Sequence, residues 1–212
     1  MRDIAIFGAG GFGREVACLI NLVNKEKPVW NLIGFFDDNP ELKGKRNEYG
    51  VILGGKDVLN AWDKPLCVLM AIGVGSTVKK VVEGIHNSNV EFPNFFYQPT
   101  FSDKNNVKLG RGNIVIGTHF SCAVSLGDFN MMNGSVVFGH DDIIGNYNTF
   151  MPGVRVSGEV KVGDECFFGV GSIVLQQLKI GDRVKLGAGS VMMTKPKNDS
   201  LYIGNPAKLF KY

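Results

Sequence analysis

The chain has 212 residues, 44% of them hydrophobic, and a net charge of +3 from 23 Lys and Arg against 20 Asp and Glu. That leaves room for one large or two small domains and enough apolar material for a core. No basic run exceeds two residues and no apolar run approaches the ~20 residues of a bilayer span, so neither a nucleic-acid nor a membrane partner is expected.

Residues 2–7 read as a short buried strand, Gly8-Ala-Gly-Gly-Phe-Gly13 as a glycine turn, and Arg14 to about Asn24 as a helix through Val16, Ala17, Leu19, Ile20 and Val23. A second strand spans about Leu32–Phe36 and ends at Asp37-Asp38, where Asn39-Pro40 breaks it. Leu66–Ile72 forms a third strand closed by Gly73-Val-Gly75, Thr77–His86 a helix, and Val90–Phe96 a fourth strand. This alternation predicts a small parallel sheet with right-handed crossovers. Near Pro99 the texture changes, which sets expected domains at 1–98 and 99–212. The stretch 101–116 is glycine-rich but out of step, as the first coils of a repeat would be.

From Leu126 to Met192 every sixth residue is apolar: Leu126, Met132, Phe138, Ile144, Phe150, Val156, Val162, Phe168, Val174, Ile180, Leu186, Met192. Glycine follows directly at 127, 139, 145, 163, 169, 181 and 187, and a smaller residue often recurs four places on, as at Val136, Val154, Val160, Cys166, Ser172, Val184 and Ser190. Period six fits neither a helix nor a two-sided strand. It fits a coil with three flat faces, the parallel β-helix of hexapeptide-repeat proteins. A Gly-Asn-Pro turn at 204–206 closes the repeat.

Two places carry candidate chemistry. Gly8-x-Gly10-x-x-Gly13 between strand and helix matches a phosphate-binding turn, with Asp37 24 residues beyond Gly13 near a ribose-binding position. About four strands in that sheet would make half a dinucleotide fold, room for one nucleotide linked to a sugar. The second place is Phe138-Gly139-His140-Asp141-Asp142-Ile143-Ile144-Gly145. The phase of the repeat puts His140 outward on a turn, where a histidine with a neighbouring carboxylate suits proton abstraction near neutral pH. His86 reads as a helix-end residue and His119 as a reserve candidate. Cys18, Cys67, Cys122 and Cys166 show no CxxC spacing and read as reduced thiols; no metal-ligand spacing occurs. A Met-Arg-Asp start leading straight into a strand predicts no signal peptide and a cytoplasmic protein.

In their order along the chain, the glycine loop, Asp37-Asp38, Gly139-His140-Asp141-x-x-Ile144-Gly145, the hexads and Gly204-Asn-Pro-Ala-Lys208 resemble the bacterial sialic acid O-acetyltransferase/nucleotide-aminosugar N-acetyltransferase family. The resemblance implies an α/β Rossmann-like half domain binding a nucleotide-activated amino sugar, followed by a left-handed β-helix that assembles as a homotrimer. Acetyl-CoA would lie between adjacent β-helices. It also implies His140 as general base, Asp141 as the residue raising its basicity, and Gly158 as an oxyanion donor. Val170, Ala188, Thr149 and Gly158 would contact acetyl-CoA. Gly11, Phe12, Gly13, Asp37, Asp38 and Gly73 would contact the nucleotide sugar. Phe12 and Thr149 stand where members of the family often carry histidine. The implied reaction is N-acetylation of a 4-amino-4,6-dideoxy sugar carried on UDP, dTDP or GDP, by direct attack. The alternatives are O-acetylation of sialic acid or a related sugar, a non-catalytic trimeric nucleotide-sugar scaffold and, more distantly, an NAD oxidoreductase.

Overall fold

The computed structural model describes residues 1–211, which divide into two compact units: residues 1–73 with 77–94, and residues 74–76 with 95 onward. In the first, strands β1 (Arg2–Phe7), β2 (Trp30–Phe36), β3 (Arg46–Asn47), β4 (Gly50–Gly54), β5 (Leu66–Met70) and β6 (Val90–Glu91) form one sheet in the order β3-β4-β2-β1-β5-β6. Only β3 runs antiparallel to its neighbour. Helix α1 (Gly11–Glu26) buries Val16, Ala17 and Ile20, one helical face, and the sheet core holds Ile4, Ile6, Phe35, Phe36 and Leu69. Helices α2 (Lys56–Asn60) and α3 (Gly75–Glu83) complete the connections.

The sheet thus has six strands rather than four. The segment 40–60 hides β3 and β4 because its apolar run is only Val51-Ile-Leu53 between glycines. The expected strand at 90–96 is two strands in different sheets. Pro93 lies between them, and a residue without an N–H cannot continue a ladder. Phe95–Tyr97 instead pairs with Ile114–Ile116 as the first strand of the solenoid, starting four residues before the change of texture at Pro99.

The second unit is a parallel β-helix with three faces, sheets of eight, six and five strands, most strands only two residues long. Only the closing pair, Leu201–Ile203 with Lys208–Phe210, is antiparallel. Each apolar residue of the hexad series from Leu126 to Met192 is at most 5% exposed, and the smaller series at 136, 154, 160, 166, 172, 184 and 190 is buried with it. At roughly 1.5–3 kcal/mol per large apolar side chain, this column is the main stabilising term of the unit. Phe101, Phe120 and Phe138 stack along the axis at 5.2 and 5.5 Å, and Phe150 stacks on Phe168 at 4.7 Å.

Three hexads make one coil, so residues 18 apart stack: Met131 on Thr149 on Phe167, and Val137 on Arg155 on Ile173. Before His119 the spacing drifts. Phe95 pairs with Ile114 and Ile114 with Met131, spacings of 19 and 17, which is why these coils are out of step in the sequence. Every sixth residue from Gly117 to Gly189 has positive φ, Asp141 (60°) and Glu159 (61°) among them, so each corner turns on a left-handed residue at that position. Gly145 is glycine for another reason: a Cβ there would overlap the Asp164 carboxylate folded over it from the next coil. Among the described residues no helix is long and apolar enough to cross a membrane.

Candidate active site

His140 sits on the corner between the six- and five-stranded faces, exposed, directly before the left-handed Asp141. The turn folds the Asp141 carboxylate back on the ring, with Nδ1 2.8 Å from Oδ2. This hydrogen bond is the first cause that raises the His140 pKa above its ordinary value; the charge of Asp141 adds to it. With the proton on Nδ1 donated to Asp141, Nε2 carries the free lone pair.

The next coil brings Gly158 to the same corner. A Cβ on Gly158 would lie 2.6 Å from His140 Nε2 and 2.8 Å from Cδ2 and Cε1, so the ring rests against the Gly158 α-carbon. The two turns are also stitched by Glu159 N–H to His140 carbonyl oxygen, 2.8 Å. His140, Asp141 and Gly158 therefore form one cluster. Val170 and Ala188 form another, on the corner between the eight- and six-stranded faces; both are exposed, and their two turns are stitched by Gly189 N–H to Val170 carbonyl oxygen, 2.8 Å. Thr149 belongs to neither: it lies in the eight-stranded face, 2% exposed, so the structure does not bring it to a surface where a cofactor could touch it.

Two residues near the histidine stand out only once coils are stacked. Cys122, exposed, occupies the His140 corner one coil earlier, and its carbonyl accepts the Asp141 N–H at 3.0 Å. Asp142, fully buried, accepts N–H bonds from Gly139 and Val160, both at 2.9 Å. Subtracting 18 from 140 would have found Cys122. His119 lies on the six-stranded face with Nδ1 2.9 Å from Thr100 Oγ1 and Nε2 3.4 Å from Ser102 Oγ, both ring nitrogens engaged. Among the described residues, no group of three or more His, Cys, Asp or Glu is placed to hold a metal ion.

In the first unit the candidate residues gather at the carboxyl ends of β1, β2 and β5. The strand order reverses between β1 and β5, where open α/β sheets take ligands. Gly13 is required by packing, since a Cβ would overlap the Gly8 carbonyl oxygen, whereas Gly10, Gly11 and Gly73 have nothing within 4 Å of a Cβ and border open space. No side chain caps α1 at Gly10, which leaves its first N–H groups uncapped. Phe12 is half-buried on that first turn. The Asp37 carboxylate accepts N–H bonds from Ala9 (2.9 Å) and Asn39 (3.0 Å), so it also shapes the glycine turn. Asp38 is held by Lys56, through its N–H at 2.8 Å and its ammonium at 3.0 Å. Asp37, Asp38, Lys43 and Lys56 line a cleft of about 500 Å³.

A Rossmann-like unit followed by a three-sided parallel β-helix with an outward His-Asp turn is the arrangement that the resemblance to the sugar acetyltransferases implies. Residues 3–85 match the PglD N-terminal domain family. The chain is 28% identical over 170 residues to the GDP-perosamine N-acetyltransferase of Escherichia coli O157:H7, covering 80% of this chain and 76% of that protein. It superimposes on the acetyltransferase domain of PglB from Neisseria gonorrhoeae FA1090 in complex with acetyl coenzyme A (TM-score 0.84, 26% identity, 99% of each chain). WeeI from Acinetobacter baumannii AYE gives a TM-score of 0.86 at 25% identity, over 99% of this chain and 100% of that one. These matches bear out the resemblance to the nucleotide-aminosugar N-acetyltransferases.

Proposed function

We propose that the chain is an acetyl-CoA-dependent N-acetyltransferase acting on the amino group of a nucleotide-linked 4-amino-4,6-dideoxy sugar. In this reading it works in the cytoplasm as a homotrimer of left-handed β-helices. The observation that carries it is the His140–Asp141 pair lying against Gly158. The neutral sugar amine attacks the thioester carbonyl carbon and forms the C–N bond while His140 Nε2 takes the proton. The carbonyl electron pair moves to oxygen, beside the Gly158 N–H. Collapse then expels the CoA thiolate, which receives the proton from His140. An oxyanion donor of this kind is worth about 3–4 kcal/mol where measured.

Val170 and Ala188 lie on a different edge of the prism from His140 and Gly158. A single acetyl-CoA touching both sets would lie between two copies, which supports the trimer. The open glycines 10, 11 and 73 over the uncapped start of α1 support a diphosphate there, with Gly11, Phe12 and Gly13 at its helix end and Asp37 and Asp38 near the nucleoside.

The test is a panel of UDP-, dTDP- and GDP-linked 4-amino-4,6-dideoxy sugars against free and CMP-activated sialic acids, each with acetyl-CoA. Acetylation of an amino-sugar nucleotide is the expected result. Activity on the sialic acids alone would establish the O-acetylation reading, and no heat of CoA binding in calorimetry would favour a scaffold.

The position of Cys122 allows a sharper check on direct transfer. Cys122→Ser is expected to keep kcat within about twofold of wild type, since no thiol is needed when the amine attacks acetyl-CoA itself. A burst of acetylated enzyme in the wild type, lost together with turnover in the variant, would establish an acyl-enzyme instead.

A further inference from the structure

One buried carboxylate close to the histidine has no part in the chemistry above. Asp142 is fully buried; its Oδ2 accepts the Gly139 N–H and its Oδ1 the Val160 N–H, both at 2.9 Å. Gly139 opens the turn that carries His140, and Val160 closes the turn that carries Gly158. The corner positions stacked with Asp142 at 18-residue spacing are Val124, Val160 and Leu178, all apolar. Only the coil that holds His140 has a polar residue in that column.

The buried asparagine column of the solenoid is different. Asn113, Asn130 and Asn148 form a continuous ladder, each accepting an N–H from the next coil and donating to a corner carbonyl, of Gly127, Gly145 and Gly163 respectively. That ladder repeats coil after coil and does one structural job. Asp142 does not repeat. It also accepts with both oxygens, a pattern one amide side chain cannot supply. A buried carboxylate is costly where its neighbours use valine and leucine, and a well-packed apolar residue there would be neutral or stabilising. Burial accordingly pushes its carboxyl up to about 7 despite the two N–H bonds.

We infer that Asp142 is a positioning residue: it fixes the His140 turn against the Gly158 turn, so that base and oxyanion donor keep one geometry across two coils. The inference rests on the assignment of His140 as base. It places in the core a group whose value lies in the register of two turns rather than in stability. A loss of register on the scale of 1 Å between reacting groups costs about 100-fold in rate.

The test compares Asp142→Val, Asp142→Asn and His140→Ala, using acetyl-CoA and whichever of the GDP-, UDP- and dTDP-linked 4-amino-4,6-dideoxy sugars turns over fastest. D142V, which copies its column neighbours, is expected to melt at or above the wild-type temperature. Its kcat should fall about 10- to 100-fold with both KM values within about threefold, and D142N should lie between it and wild type. If D142V does not fold, D142N alone decides, by the same split of kcat from KM. A folded variant with wild-type kcat, or one changed only in KM, overturns the positioning role if H140A is inactive. An active H140A overturns the assignment of the base itself.

Discussion

Replacing His140 with alanine is expected to lower kcat by about 10²- to 10⁴-fold, the usual worth of a positioned general base. The melting temperature should not move, because the ring is exposed and outside the apolar column of the solenoid. The pH profile gives the same assignment a second reading. A base works in its neutral form, so the rate falls as pH drops through the His140 pKa. Because the Asp141 hydrogen bond raises that pKa, the acid limb of the wild-type kcat/KM profile should bend above the ordinary histidine value of 6.5. Asp141→Asn removes the charge, so the limb should move to lower pH while the plateau falls, the neutral imidazole being a weaker base. An H140A enzyme that is folded yet within a few-fold of wild type would sink the role of His140. A D141N limb that stays in place would sink that of Asp141.

The period of six was enough to identify the solenoid and to sort its side chains, because a three-faced coil buries one large residue per face and every such residue from Leu126 to Met192 is indeed inside. It also put His140 outward, two places past the inward Phe138 and on a turn. What the period does not state is which coil lies on which. That needs the 18-residue count, and it links Cys122, His140 and Gly158 as well as Val124, Asp142 and Val160. Counting fails before His119, where pairings 19 apart (Phe95 with Ile114, Thr100 with His119) are followed by pairings 17 apart (Lys108 with Ser125, Ile114 with Met131), so the early coils were legible only as glycine-rich texture. The role of Asp142 was hidden for a different reason. It falls four places after Phe138, in the phase of the buried smaller series, but a carboxylate between Asp141 and Ile143, both exposed, reads as part of a solvated turn. In the first unit the glycine turn and the long strands were readable from apolar runs. The hairpin at 46–54 was not, because β3 has only two residues and the apolar run of β4 is three residues between glycines, too short a stretch for periodicity to show.

Gly158→Ala separates the two uses of glycine at this corner. The Gly158 φ is not positive, so alanine fits its backbone, and the atoms its methyl would meet belong to the exposed His140 ring, at 2.6–2.8 Å. The ring can swing toward solvent at little cost to folding. The melting temperature should therefore stay within a few degrees, while kcat falls on the order of 100-fold as the base leaves its place beside the oxyanion donor. Gly139 has the opposite surroundings. A Cβ there would overlap the Gly158 N–H and Ser157 carbonyl carbon, backbone atoms of the next coil that cannot step aside. Gly139→Ala should cost about 1–3 kcal/mol of stability through overpacking, with activity falling because the coil is disturbed. Measuring both variants by thermal unfolding and steady-state kinetics distinguishes a glycine that makes room for the histidine from one that lets two coils meet. If G158A loses stability as G139A does, the close approach of His140 is a packing feature of the corner. If G158A keeps both its stability and its rate, the ring does not need that position for catalysis.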